Sequence, residues 1–143
     1  MNVLDQLKRD EGCRLTAYPD PLTGGEPWTI GYGCTGPDVK KGTVWSQALA
    51  DAALRDRVET IETSLRRELS WYAGLSEARQ AVLVGMAYNM GISGLLAFRH
   101  MLGQVRVGNY NEAAADMMDS RWARQVPERA ARLAEQLATG RWV

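Results

Sequence analysis

Residues 46–69 read SQALADAALRDRVETIETSLRREL, a stretch that contains neither glycine nor proline. Its apolar residues recur at the spacing of one helical face, and Ser46 is of the type that caps helix N-termini. The stretch therefore predicts one long amphipathic helix from Ser46 to Glu68 or Leu69. The sequence before it and the sequence after it differ in character, so this helix organises the chain.

The segment before the helix, residues 1–45, is dense in turn-forming residues. A short helix is predicted to start after Asn2 and to end near Gly12, and the prolines and glycines between residues 19 and 27 favour turns. Two strands are predicted, Arg14–Tyr18 and Trp28–Tyr32. In the second, bulky residues alternate with threonine and glycine, and a bare strand face lets another backbone or a ligand approach closely.

The segment after the helix, residues 70–143, is helical in pattern, with predicted breaks at Gly74 and at residues 91–94, 103–109 and 120–127. Residues 80–90 are apolar nearly all round, which is typical of a central helix. Pro127 suits the first turn of a last helix that ends at Gly140. We predict an α+β fold in a single domain, 1–143: a mixed lobe (1–45), a connecting helix (46–69) and an all-helical lobe (70–143).

Composition narrows the function classes. The chain has 143 residues, 45% of them hydrophobic, and its 17 basic residues balance 17 acidic ones. No large positive field favours nucleic acid, and no stable membrane insertion is expected. The N-terminal residues MNVLDQLKRDEG are too charged for a signal peptide, so we expect synthesis in the cytoplasm.

The metal-binding residue types are few. Cys13 and Cys34 lack metal-ligand spacing, and His100 is the only histidine, expected on a helix surface. We therefore expect neither a metal nor a cofactor. Two free thiols are the simple expectation for the cysteines, and a redox-sensitive bridge between them is the alternative.

Two carboxylates attract attention. Glu11 shares a helical face with Leu4 and Leu7, so its surroundings are predicted to be apolar, which raises the pKa of a carboxyl group and suits a general acid. Asp20 lies in a proline-rich turn, where it is expected to be hydrated and ionised. Opposed environments of this kind are typical of the acid and base in glycoside cleavage. By themselves, however, both residues are also common surface types.

A resemblance adds weight to this pair. Asp10-Glu11-Gly12, Tyr18, Asp20 and Thr29-Ile30-Gly31-Tyr32-Gly33 resemble the active-site region of the phage-type lysozymes, glycoside hydrolase family 24. Segments similar to the same family follow in the same order through nearly the whole chain: Tyr88–Gly91, Ser120–Trp122, Pro127–Ala130 and Thr139–Trp142. The resemblance implies a lysozyme-like fold and hydrolysis of the β-1,4 bond between N-acetylmuramic acid and N-acetylglucosamine in peptidoglycan.

The resemblance also implies roles for residues. Glu11 would be the general acid, and Asp20 with Thr29 would activate the attacking water, giving inversion, which requires roughly 6.5 to 9.5 Å between the two carboxyl groups. The substrate-binding positions would be Thr35, Tyr88, Asn89 and Arg129. Arg129 would also pair with Glu11, opposing the pKa rise from burial. Core packing is an equal alternative for Tyr88 and Asn89.

The chain departs from the family pattern in two places. Residues 22–27 lengthen the turn before the second strand, which is usually tolerated. Cys34 stands where many relatives have a histidine that pairs with an aspartate on the long helix, for which Asp56 would be the counterpart. We expect the stability loss on acidification that a histidine–aspartate pair would cause to be missing.

The resemblance implies an endolysin, acting as a monomer. It would remain in the host cytoplasm until a separate membrane-permeabilising protein gives it access to the cell wall in the periplasm, and wall degradation would lyse the host. Three alternatives remain, and the first, a structural or scaffolding helical protein, leaves the Thr29–Gly33 strand unexplained. A lytic transglycosylase needs a glutamate but no base, which leaves Asp20 and Thr29 unexplained, and a wall-binding module would bind peptidoglycan without cleaving it.

Overall fold

The computed structural model describes residues 1–143 and contains seven α-helices and a two-stranded antiparallel sheet. In chain order the elements are α1 (Val3–Glu11), β1 (Arg14–Tyr18), β2 (Thr29–Gly31), α2 (Gln47–Glu68), a 3-10 turn (Tyr72–Gly74), α3 (Glu77–Leu96), α4 (Arg99–Arg106), α5 (Tyr110–Met118), α6 (Arg121–Gln125) and α7 (Pro127–Thr139). The predicted α+β class is confirmed.

The long helix forms as the sequence predicts. Helix α2 spans Gln47–Glu68, and the Ser46 hydroxyl accepts a hydrogen bond from the Leu49 N–H at 3.1 Å, as an N-cap does. The chain separates into two compact units, and their boundary falls inside α2, at residues 60 and 61. We call Leu4–Thr60 the N-terminal unit, and Met1–Val3 with Ile61–Val143 the C-terminal unit.

The sheet of the N-terminal unit is short and irregular. Arg14 lies opposite Gly31 and Tyr18 opposite Thr29, so β1 carries two more residues than β2 over the same length. This is a bulge, which increases local twist. Ala17, Ile30 and Val39 form a small buried core against which three partly buried side chains pack, namely Trp28, Cys34 and Trp45.

The second strand is shorter than the predicted Trp28–Tyr32. Gly31 has φ +64° and Gly33 has φ +92°, so the chain leaves extended geometry and turns back, with Cys34 bridging to Ile30. The Trp45 ring occupies the space beside the bare face at Gly31: a Cβ at this position would lie 3.0 Å from Cζ3 of Trp45. The glycine is therefore required both by the backbone and by the ring.

In the C-terminal unit, residues 81–88 of α3 are all buried, as the apolar sequence of residues 80–90 predicts. Gly91, with φ 80° and ψ 164°, interrupts its helical geometry within the predicted break at 91–94. Helix α7 begins at Pro127, ends at a left-handed Gly140 as predicted, and contacts α3, α5 and α6. No single helix is long and apolar enough to cross a membrane. The bent pair α3 and α4 together reaches the required length and apolarity, by length and composition alone.

Two predicted breaks in this unit are partly wrong. Gly103 lies inside α4, which continues to Arg106, because a single glycine lowers helix stability by only about 1 kcal/mol. Within the predicted break at 120–127 the chain forms α6, whose N-cap Ser120 accepts a hydrogen bond from the Ala123 N–H. Burial of Trp122 and Ala123 stabilises this short helix.

Candidate active site

Glu11 is the last residue of α1 and is partly exposed. Leu7, one turn earlier, keeps 3% of its exposure, and Leu4 is partly buried, so the predicted apolar face exists. Gly12 ends the helix with φ +65° and donates its N–H to the Lys8 carbonyl at 3.1 Å. The glutamate side chain is thus placed where the helix stops and the chain turns toward β1.

Asp20 is fixed by the loop that follows β1. Its Oδ1 accepts the Leu22 N–H at 2.7 Å, an Asx-type turn. Two backbone bonds close the loop: Asp20 N–H donates to the Gly25 carbonyl, and Gly24 N–H donates to the Asp20 carbonyl. Asp20 is half-buried in this loop. The lengthened loop therefore orients Asp20 through its own backbone.

The hairpin register brings Thr29 to the same end as Asp20. Thr29 lies opposite Tyr18, and Asp20 follows Tyr18 by two residues. At the other end of β2, a Cβ built on Gly33 would lie 3.9 Å from Oε2 of Glu11. The strand β2 and its turn therefore run from the Asp20 end of the hairpin to the Glu11 carboxylate. All three residues of the predicted triad lie in the N-terminal unit.

Sequence reasoning missed a polar cluster beside this turn. The Tyr32 hydroxyl donates to Oδ1 of Asp51 at 2.9 Å, and the Gln47 amide donates both to the same oxygen, at 2.9 Å, and to the Tyr32 oxygen, at 3.0 Å. Gln47 and Asp51 are one helical turn apart on α2, and this spacing was the available signal. The two bonds lower the pKa of Asp51, so its carboxylate stays ionised.

The pKa of Tyr32 is raised to about 12 by burial, by its hydrogen bond to Asp51 and by the negative charges of Cys13 and Asp51. The unfolded tyrosine loses its proton near pH 10, so the free energy of unfolding should fall as pH rises from about 10 to about 12. Burial also raises the pKa of Tyr72, so the measurement compares the wild type with Tyr32→Phe, which retains Tyr72. We expect a shallower fall in the variant by urea unfolding; identical slopes would contradict the prediction.

The neighbourhood of Cys34 differs from the expectation. Arg57, rather than the exposed Asp56, is the α2 residue beside it: its guanidinium donates to the Gly33 carbonyl at 3.3 Å. Burial raises the pKa of the Cys34 thiol, and the Arg57 charge opposes that rise. Cys13 and Cys34 are both free and partly buried, so the bridge proposed from sequence is not formed in this structure.

The four predicted substrate-binding residues divide between the units. In the N-terminal unit, Thr35 is exposed and lines a cavity of about 370 Å³ together with Trp28 and Lys40. In the C-terminal unit, Oδ1 of Asn89 accepts hydrogen bonds from Arg129 at 2.8 Å and from the Trp122 indole at 3.3 Å.

Tyr88 keeps only 3% of its exposure, as core packing requires. His100 is exposed, as expected, with its Nδ1 2.6 Å from an Asp116 carboxylate oxygen. No cluster of three or more metal-binding side chains occurs in the chain.

Comparisons with known proteins point to one family. The family model described as phage lysozyme matches residues 8–137. The chain is 30% identical to the pre-baseplate central spike protein Gp5 of Enterobacteria phage T4 over 98% of its own length and 28% of the spike protein. It is 26% identical to probable T4-type lysozyme 1 of Dictyostelium discoideum, covering 97% of the chain and 95% of that protein. It is 31% identical to the endolysin of Lactococcus phage c2, covering 82% of the chain but about half, 52%, of the endolysin.

Proposed function

The chain belongs to the phage lysozyme family, and from this premise we propose that it hydrolyses the β-1,4 bond between N-acetylmuramic acid and N-acetylglucosamine in bacterial peptidoglycan. One observation carries the proposal. The turn after β2 passes beside the Glu11 carboxylate, while Thr29 and Asp20 share the opposite end of the same hairpin. A glutamate beside one end of the hairpin and an aspartate at its other end supply the two carboxyl groups that glycoside hydrolysis needs.

In the proposed mechanism Glu11 gives its proton to the glycosidic oxygen as the bond from that oxygen to the anomeric carbon breaks. Asp20 accepts a proton from a water molecule, and the Thr29 hydroxyl orients that water. The water oxygen bonds to the anomeric carbon from the opposite face, so the configuration inverts. The hydrogen bond from the Leu22 N–H to Oδ1 fixes the orientation of the Asp20 carboxylate within the loop.

Three further residues are proposed to bind the glycan, namely Thr35, Asn89 and Arg129, whereas Tyr88, which is only 3% exposed, is assigned to core packing. The Asn89 side-chain oxygen accepts hydrogen bonds from Arg129 and Trp122, which hold the amide group in one orientation. A fixed amide suits a side chain that forms hydrogen bonds with sugar hydroxyls. We propose that the protein acts as a monomeric endolysin, retained in the host cytoplasm until another protein permeabilises the membrane, and that wall degradation then lyses the host.

Analysis of the reaction products tests this chemistry. Purified peptidoglycan is digested in ¹⁸O-labelled water, and the released fragments are examined by mass spectrometry and by a reducing-end assay. We expect new reducing ends on N-acetylmuramic acid that carry one ¹⁸O atom. Anhydro-muramyl ends would show that the protein is a lytic transglycosylase and not a hydrolase. Binding to peptidoglycan without new reducing ends would show that it is a wall-binding module.

A further inference from the structure

The polar cluster on α2 joins three chain segments. Tyr32, Gln47 and Asp51 form a closed triangle of hydrogen bonds, each 2.9 or 3.0 Å long. The Asp51 oxygen also lies 3.7 Å from the Lys8 ammonium group, and the Gln47 amide nitrogen lies 3.9 Å from the Cys13 sulfur. Two side chains of a single helical turn therefore contact α1, the link from α1 to β1, and the turn after β2.

These three segments are the ones that flank Glu11. Lys8 precedes Glu11 by one turn of α1, Cys13 follows it by two residues, and Tyr32 precedes Gly33, whose Cβ position lies 3.9 Å from the Glu11 carboxylate. A fourth contact, from the Arg57 guanidinium to the Gly33 carbonyl, holds the same turn to α2. The backbone on both sides of the glutamate is thus tied to one helix.

The cluster has one buried member and one hydrogen bond to a charged group. Tyr32 keeps 5% of its exposure, and its hydroxyl donates to a carboxylate, a hydrogen bond stronger than one between neutral groups. The turn itself has little rigidity of its own, since Gly31 and Gly33 flank Tyr32 and both adopt left-handed backbone angles. Tyr32 is therefore the residue whose side chain holds this turn to α2.

We propose that Tyr32, Gln47 and Asp51 are positioning residues that hold the Gly31–Gly33 turn and the end of α1 so that the Glu11 carboxylate keeps its orientation toward the scissile bond. This inference rests on the proposed function of Glu11. None of the three needs to touch the substrate. Misplacement of a reacting group by about 1 Å can lower a rate by about 100-fold, so loss of one anchor has a measurable consequence.

Tyr32→Phe tests the proposal, with Tyr72→Phe as a matched control. Tyr72 is fully buried, and its hydroxyl has no hydrogen-bond partner. Tyr72→Phe therefore removes a buried hydroxyl without breaking a hydrogen bond. With solubilised glycan chains, we expect kcat of Tyr32→Phe to fall about tenfold while KM stays within about twofold. Tyr72→Phe should match the wild type. A kcat of Tyr32→Phe within twofold of the wild type would overturn the proposal.

Substitutions at Asp51 separate positioning from general loss of stability. Asp51→Asn keeps an oxygen acceptor for Tyr32 and should retain most of kcat, whereas Asp51→Leu should lose as much as Tyr32→Phe. The double variant Tyr32→Phe/Asp51→Leu should lose less than the product of the two single losses, since both substitutions break the same Tyr32–Asp51 hydrogen bond. Additive losses, or equal losses in Asp51→Asn and Asp51→Leu, would refute a shared anchor.

Folding and catalytic failure are distinguished by two further measurements. Each variant is assayed about 15 °C or more below its own unfolding midpoint, so that it is folded during the assay. If Tyr32→Phe does not fold, Gln47→Leu, at an exposed position, supplies the same test. If Glu11→Gln keeps full activity, the proposed function fails. If Glu11→Gln is inactive while Tyr32→Phe and Gln47→Leu keep the wild-type kcat, only the positioning role fails.

Discussion

Glu11→Gln is expected to lose about 1000-fold of the rate at which the protein releases reducing ends from peptidoglycan, with its unfolding midpoint nearly unchanged. Glutamine has almost the same shape as glutamate but cannot transfer a proton to the leaving oxygen. Glu11 is partly exposed at the end of α1, so the amide of a glutamine there can form hydrogen bonds with water. The loss should therefore appear in catalysis and not in folding.

The measurement is turbidity clearing of outer-membrane-permeabilised cells, supported by the reducing-end assay. Asp20→Asn should also be strongly impaired, because an amide cannot accept the proton of the attacking water. Glu59→Gln, at an exposed position on α2, makes the same chemical change away from the hairpin and should clear at the wild-type rate. Equal clearing by Glu11→Gln, Asp20→Asn and the control would eliminate the proposed mechanism.

Gly31→Ala should lower the free energy of unfolding by about 3 kcal/mol, because backbone strain and steric overlap act together. The residue has φ +64°, which L-residues with a Cβ rarely adopt. The new Cβ would lie 3.0 and 3.2 Å from two ring carbons of Trp45 and 3.7 Å from the Cβ of Ala50. The ring packs against the small core of the N-terminal unit, so its displacement disturbs that core.

Gly12→Ala separates the two causes. Gly12 has nearly the same backbone angle, φ +65°, but a Cβ there would meet no atom within 4 Å. Its substitution should cost only the strain, about 1 kcal/mol. Urea unfolding of both variants measures the difference, which reports the contact with Trp45. If the two glycines prove equally costly to replace, the ring has room to move and the close contact has no energetic consequence.

Much of the fold could be predicted because its signals are local. Periodicity and the capping serine located α2 to within one residue, and Pro127 and Gly140 bounded α7. The breaks at 103–109 and 120–127 were less accurate because glycine and serine only bias the backbone. Burial of Trp122 and Ala123 overrides that bias in α6, and burial depends on partners distant in sequence.

The candidate site shows the same division. The sequence by itself determined the carboxylates, Glu11 at a helix end and Asp20 in a turn, because residue type and local backbone propensity are encoded within a few positions. It also indicated that another backbone or a ligand can approach the bare face of the second strand. Only the tertiary structure determined which groups do so: the Trp45 ring lies beside Gly31, and the Glu11 carboxylate lies beside Gly33.

The polar cluster of Tyr32, Gln47 and Asp51 likewise depends on contacts between distant parts of the sequence. A tyrosine in a glycine turn and an aspartate on a helix are separately unremarkable in sequence, and their 2.9 Å hydrogen bond joins positions 32 and 51. Arg57, and not the neighbouring Asp56, contacts this turn, because one step along α2 rotates a side chain by about 100° around the helix axis. Contacts across such distances are set by packing, so the sequence alone indicated the two candidate carboxylates, and only the tertiary structure determined which side chains contact the segments around them.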